Sequence, residues 1–503
     1  MNIRAIYVVA NLNIPPNNVV AALIFQPKML YFQLSAEERA IDMQREILSS
    51  MAEWEKSDYR KPLVLMGARQ VGKTWLMEEF ARRHYPRDTV YVNFMDNDLL
   101  REQFTSINID ARSVIETIRL ATGKDIVEGK TLLILDEIQE SPRALTSLKF
   151  LCEEAPRLAV MAAGSLLGLA LNRKKKDKSD EPDNQDENKA SFPVGKVDFL
   201  DIHPLTFREF LMATGQERYL EPIDKRNYKM IELQHSVLTK LIKSYCFVGG
   251  MPEAVKVFAE TRDFSKTRKI QKDILTAYDK DFAKHAKNHY LLAKLRLLWN
   301  NIPAQLAKEN KKFIYKSLRA GARAREYEEA LQWLKDAGMV YQHFRVNPPR
   351  MPLRSYEDYS AFKLFMHDVG LLGAMSNLPA KTLLKGSDIF TNFNGSLTEQ
   401  YVLQELIAAN VASNYWTPDS GDAEVDFVIQ GANAVFPLEA KAGTNTKAKS
   451  LKVYRDAFKP EKSYRVSLVE WRPGSDMEDV PLYAISSIAA EIDDGNCITF
   501  DQL

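Results

Sequence analysis

The chain has 503 residues, 45% of them hydrophobic and 27% charged, which is too long for one core and ordinary for a globular protein of about three domains. Lys+Arg 68 against Asp+Glu 67 leaves a net charge of +1, so a globally basic nucleic-acid binder is excluded and any such surface is a local patch. Cys152, Cys246 and Cys497 are too far apart for a CxxC or Cys/His cluster, so neither a disulfide framework nor a zinc site is expected and a reducing cytoplasm fits.

The longest apolar run, 158–171, falls short of the ~20 residues of a membrane span. Near the start, Asn11, Asn13, Pro15 and Pro16 interrupt any signal-peptide core. A cytoplasmic protein with no membrane partner is expected, with residues 1–42 as an N-terminal extension.

In chain order, residues 62–66 predict a buried strand and residues 75–81 an amphipathic helix. Between them Gly67, Ala68, Arg69, Gln70, Val71, Gly72, Lys73 and Thr74 fit the pattern G-x-x-x-x-G-K-[ST]. Strand, glycine loop and helix start aim backbone N–H groups at a polyphosphate. The pattern assigns Lys73 to the β- and γ-phosphates of ATP and the Thr74 hydroxyl to Mg²⁺.

Further strands are expected at 89–94, 131–137, 158–163 and 197–202, with helices at 143–154 and 207–211. Their alternation predicts a parallel sheet covered on both faces. The run 131–137 ends in Asp136 and Glu137. Asp136 is the expected partner for the Mg²⁺ held by Thr74, and Glu137 the base that orients and deprotonates the attacking water. Ser165, at the tip of the next strand, suits a contact to the γ-phosphate or the water, and an ordinary turn serine equally. A cationic finger is worth ~10³–10⁵ in rate. Arg143, Arg69 and Lys196 are all eligible, and a finger supplied in trans implies a homo-oligomer. Residues 173–190 are a basic block followed by an acidic one, and predict a solvated insertion.

From 216 to 290 the pattern is helical, broken at Gly249-Gly250-Met251-Pro252. A long helix at 322–337, stopped by Gly338, and a strand at 339–346 read as a winged helix within 291–385. Arg319, Arg323 and Arg325, with Lys311, Lys312 and Lys316 just before them, suit phosphate and groove contacts. Glu326, Glu328 and Glu329 on the same helix suit packing against another domain or subunit equally.

Residues 424–429 and 435–441 predict two strands joined at Gly431 and Asn433 as a hairpin. Asp426 lies in the first. Glu439 and Lys441, two apart, leave the same face of the second. Glu399 lies on a helix expected at 396–406. Glu on a helix, then Asp, then Glu-x-Lys on adjacent strands is the PD-(D/E)xK endonuclease arrangement. There Asp426 and Glu439 would hold Mg²⁺ and activate its water. Lys441 would offset charge on phosphorus, and Glu399 would complete the metal's outer contacts or hold a second ion. Carboxylates ~4 Å apart repel by ~4 kcal/mol per pair at an effective dielectric of about 20. One lysine cannot offset three acids, so their convergence implies a bound cation.

From about Met43 onward the chain resembles bacterial and archaeal AAA-type P-loop ATPases that end in an uncharacterised restriction-endonuclease-like domain. The resemblance rests on both phosphate-site motifs and on residues 191–197, 204–210, 248–252, 281–285, 399–403 and 437–441. It implies ATP binding and hydrolysis, a helical lid around the GGMP turn, a winged helix and a nuclease-like C-terminus. The extension before Met43 and the charged insertion depart from the family pattern without damaging a motif.

The expected whole is a multidomain α/β protein: a P-loop NTPase parallel sheet at 43–215, a helical lid at 216–290, the winged helix at 291–385 and an α/β endonuclease-like domain at 386–503. ATP and Mg²⁺ are its expected cofactors, and DNA its expected partner through the last two domains. The competing reading is a nucleotide-driven signalling switch or scaffold whose nuclease-like domain is non-catalytic.

Overall fold

The computed structural model describes residues 43–164, 167–168, 193–308, 311–385, 391–443 and 449–493. The N-terminal extension, Ser165, the charged insertion and Cys497 therefore lie outside the described residues. All five strands expected in the N-terminal half form: β1 Leu63–Met66, β2 Thr89–Asn93, β3 Leu132–Asp136, β4 Ala159–Ala163 and β5 Asp198–Asp201. They make one parallel sheet in the order β2-β3-β4-β1-β5. β3 and β4 are buried along their whole length, whereas the edge strands β2 and β5 alternate. That contrast follows from helices covering both faces of the inner strands.

Helix α1 (Lys73–His84) leaves the glycine loop after β1, its N-cap Gly72 at φ +96°. β1 and β3 flank β4, so the glycine loop and Asp136 open on the same edge, at the carboxyl ends of the strands where parallel sheets bind ligands. The helix Phe207–Ala213 opens with a capping box, in which Thr206 accepts from Glu209 N and Glu209 from Thr206 N. A helical region follows: α2 (Tyr228–Val248), α3 (Pro252–Thr261), α4 (Phe264–His285) and α5 (His289–Leu306). The GGMP turn separates α2 from α3 as expected.

The helix expected at 322–337 forms as α6 (Ala324–Asp336). Gly338 N donates to Lys335 O at 2.8 Å and Met339 N to Leu334 O at 3.0 Å, closing the helix as a Schellman motif. The strands that follow, β6 (Val340–Val346) and β7 (Glu357–Met366), pair as an antiparallel hairpin. They make no separate wing. β6 also pairs in parallel with β8 (Ser413–Trp416), and a seven-stranded sheet runs β12-β11-β10-β9-β8-β6-β7. The boundary expected at 386 thus cuts through one sheet. An open hairpin edge presents unpaired backbone groups, and β8 satisfies those of β6.

In that sheet β9 (Val425–Gln430) and β10 (Val435–Ala440) form the expected hairpin, closed by Gly431 N to Ala434 O at 2.9 Å. β11 (Ser463–Ser467) and β12 (Met477–Pro481) continue it in parallel. Helix α7 (Thr391–Ala408) precedes β8, and α8 (Lys449–Phe458) connects β10 to β11. Among the described residues no helix is long and apolar enough to cross a membrane.

Candidate functional site

A cavity of about 500 Å³ opens at the glycine loop, lined by Gly72, Lys73, Thr74, Asp136, Glu137 and Tyr278, among others. Its size is that of a small-molecule site. A Cβ on Gly67 would stand 2.3 Å from Ile202 O, so only glycine lets the loop leave β1 against the strand beside it. Lys73 Nζ donates to Gly67 O at 2.9 Å and to Ala68 O at 2.8 Å. Burial pushes its ammonium down to about 8, opposed by the Glu137 and Asp136 carboxylates. Thr74 Oγ1 donates to Asp136 Oδ2 at 2.8 Å, and Tyr91 OH to the same oxygen at 2.9 Å. A hydroxyl and a carboxylate so placed are oxygen donors that fit a hard divalent cation.

Glu137 stands at φ +50°, a left-handed conformation that costs a non-glycine residue about 1–3 kcal/mol. Its N–H donates to Asp136 Oδ1 at 2.9 Å, and its Oε2 accepts from Gln139 Nε2 at 2.5 Å. The turn thereby aims the carboxylate into the cavity that Lys73 and Thr74 also line.

Distant segments hold the loop from behind. Arg45 donates to Val71 O at 3.1 Å and His203 O at 2.7 Å, and pairs with the buried Glu209 at 3.0 Å. Glu209 of the capping box thus reaches the phosphate loop through Arg45. On α4 Asp281 pairs with Arg69 at 2.7 Å, and Tyr278 OH lies 2.8 Å from Arg69 O and 3.2 Å from His367 Nε2. The neighbouring Asp368 is fully buried and accepts from Gly250 N at 2.6 Å and Leu371 N at 2.8 Å. Burial pushes its carboxyl up to about 6, and those N–H groups limit the rise. A Cβ on Gly250 would lie 2.1 Å from Leu205 O, so the GGMP turn needs glycine for close approach. Pro252 at its end lines the cavity. His367 and Asp368 follow β7 directly, which ties the end of the seven-stranded sheet to the nucleotide pocket. Their positions carry no local motif. Arg45 lacks one too, whereas Thr206-x-x-Glu209 is legible as a capping box.

The second cluster lies in the seven-stranded sheet. The register Leu438↔Phe427 sets Asp426 opposite Glu439 on adjacent strands. Asp426 Oδ2 accepts from Ala440 N at 2.9 Å, Lys441 donates to Glu439 Oε1, and Glu439 Oε2 is buried without a hydrogen-bond partner. Burial raises both carboxyls, Asp426 well above its usual value with Glu399 and Glu439 adding to the rise. An orphaned carboxylate oxygen beside a second carboxylate fits a divalent cation.

Glu399 stands differently from the expectation. Lys363 Nζ, fully buried on β7, donates to Glu399 Oε2 at 3.1 Å and Glu424 Oε1 at 2.6 Å. Lys311 donates to Glu399 Oε1. Burial would raise the Glu399 carboxyl, but Lys363 and Lys311 outweigh it and hold it down at about 2. Three lysines and a fourth acid, Glu424, therefore stand in the cluster, and the count of one lysine against three acids is corrected. The sequence reading missed this because β7 and the segment before α6 come from far upstream. Among the described residues no three His, Cys, Asp or Glu side chains form a metal-holding group.

Other expectations move as well. Lys311, counted with the basic start of α6, is tied to Glu399. Arg143 donates to Phe104 O at 2.7 Å and Ile107 O at 2.5 Å, a structural anchor that removes it as a finger. Lys196 pairs with Glu153 at 2.9 Å, while Arg69 lines the cavity.

Residues 59–211 match the family model described as AAA domain. With the parallel sheet and the glycine loop, this defines residues 59–211 as a AAA-type P-loop ATPase domain. Residues 239–382 and 394–481 match models described as domains of unknown function, DUF8612 and DUF4143. No curated protein is significantly similar in sequence. Among solved structures, the Walker-type ATPase PABY2304 of Pyrococcus abyssi is 14% identical over 66% of this chain and 96% of that one, with a TM-score of 0.41. The Aeropyrum pernix Orc1 protein in complex with DNA is 13% identical over 68% and 92%, TM-score 0.24. Cdc6p from Pyrobaculum aerophilum is 12% identical over 69% and 95%, TM-score 0.24. All three scores are low, so the class rests on the AAA-domain match and the site.

Proposed function

We propose that ATP binding and hydrolysis at Lys73 control a DNA-directed C-terminal module that is a Mg²⁺-dependent nuclease of the PD-(D/E)xK kind. In the ATPase half, the backbone of residues 67–72 and Lys73 grip the phosphates, Thr74 and Asp136 hold Mg²⁺, and Glu137 takes the proton of the attacking water. Bound Mg²⁺ offsets phosphate charge. Lys73→Ala is expected to reduce ATP turnover at least ~10³-fold, because among the described residues Lys73 is the one lysine lining that cavity and the other cation there, Arg69, is paired with Asp281. A phosphate-release assay checks this, and turnover within tenfold of wild type would displace Lys73 from the site.

The observation that carries the nuclease reading is the Asp426–Glu439 pair with its orphaned Oε2 beside Lys441. Those two carboxylates would hold Mg²⁺, and Lys441 would steady charge on the scissile phosphate. The competing reading, a switch or scaffold with a non-catalytic module, draws on Lys311 and Lys363, which hold Glu399 without a metal. Supercoiled plasmid with Mg²⁺ or Mn²⁺, with and without ATP, separates the two. The nuclease reading expects nicking that Asp426→Asn and Glu439→Ala each reduce at least ~10²-fold. Nicking that survives both substitutions, or none in the wild type, leaves the scaffold.

A further inference from the structure

The outer face of α4 has no role in the nucleotide cavity and carries a row of lysines. At about 100° per residue, Lys266, Lys269, Lys272, Lys280 and Lys284 fall within an arc of about 120°, and all five are exposed. Ile274, Tyr278, Asp281 and Phe282 point the other way into the core. Two surface lysines elsewhere are neutralised by acidic partners, Lys196 by Glu153 and Lys225 by Glu221. Among the described residues none of these five forms an ion pair, and Asp279 on the same helix is taken by Arg296 at 2.7 Å. Asp273 is the one acid on the row's own face. In a chain of net charge +1, four net positive charges on one helix face are a local concentration.

We propose that this face of α4 is a docking surface for the phosphate backbone of duplex DNA, separate from the basic start of α6. A rise of about 1.5 Å per residue puts Lys266 and Lys284 about 27 Å apart, close to eight base pairs of duplex at ~3.4 Å each. A straight row of ammonium groups fits a line of phosphates without reading sequence. A lipid surface is disfavoured: the helix's apolar side is already in the core, so it has nothing to insert. The same helix holds Arg69 from its inner face, so a bound duplex and a bound nucleotide would share one rigid element. The inference rests on the DNA-directed reading but separates from the nuclease: plasmid nicking reports Asp426 and Glu439, and duplex binding reports the lysines.

The test is fluorescence anisotropy of a labelled 25-base-pair duplex (about the length of three such footprints) with the full chain over a range of salt. Replacing all five lysines by Gln is expected to make the slope of log affinity against log salt shallower by about 4 and to weaken affinity near 0.1 M salt at least tenfold. The five-Arg variant should restore both, and basal ATP turnover without DNA should stay at the wild-type value in each. An unchanged salt slope in the Gln variant overturns the proposal, as does loss that Arg fails to restore. So does wild-type binding no tighter to the duplex than to polyglutamate of equal charge, which would instead indicate an acidic protein partner.

Discussion

Glu137→Gln is expected to lower ATP turnover by about 10²–10⁴-fold while ATP stays bound. The amide keeps the size and the contact to Gln139 but cannot take a proton. Binding should survive because the loop, Lys73 and the Thr74–Asp136 pair are untouched. The left-handed turn at Glu137 is set by its own N–H to Asp136 Oδ1, a backbone bond that the substitution leaves in place. The variant should therefore retain nucleotide through gel filtration while phosphate release is lost. Release at the wild-type rate would remove Glu137 as the base and direct attention to another group on the cavity wall.

Lys363→Met is expected to destabilise the chain by about 3–5 kcal/mol, the cost of stranding a buried carboxylate whose partner is removed. Burial alone would lower the Lys363 ammonium, but Glu399 and Glu424 beside it outweigh that and raise it. With Lys363 gone, Lys311 remains against Glu399, and Glu424 loses the contact at 2.6 Å. The double variant Lys363→Met with Glu424→Gln should recover much of the loss, because it removes the carboxylate left without a lysine while Lys311 still answers Glu399. Denaturant unfolding of the three proteins measures this. A loss below about 1 kcal/mol for Lys363→Met, the range of an exposed pair, would mean water reaches the cluster and the lysine is no structural keystone.

Legibility divided along chemical lines. Glycine spacing and apolar runs lie within a few residues of each other, so all five strands of the first sheet, the loop and the Asp136-Glu137 end were readable locally. The hairpin bearing Asp426 and Glu439 was readable for the same reason: alternation and a turn at Gly431 specify pairing between neighbours. The joining of β6 and β7 to the larger sheet is not legible, because a hairpin has the same local pattern whether its edge faces solvent or pairs with β8. Arg143 is eligible as a finger by sequence, but its guanidinium donates to Phe104 O and Ile107 O, carbonyls that no local spacing indicates.

By itself, the sequence determined a AAA-type P-loop ATPase domain and the residue types of a carboxylate cluster, since both depend on short spacings that backbone geometry converts directly into position. Only the tertiary structure decided how those parts meet. It brought Lys311 and Lys363 to Glu399, His367 to Tyr278 and Asp368 to the GGMP turn, from 36 to 118 residues away. Electrostatic balance at a buried site depends on distance through space, and no spacing along the chain records it.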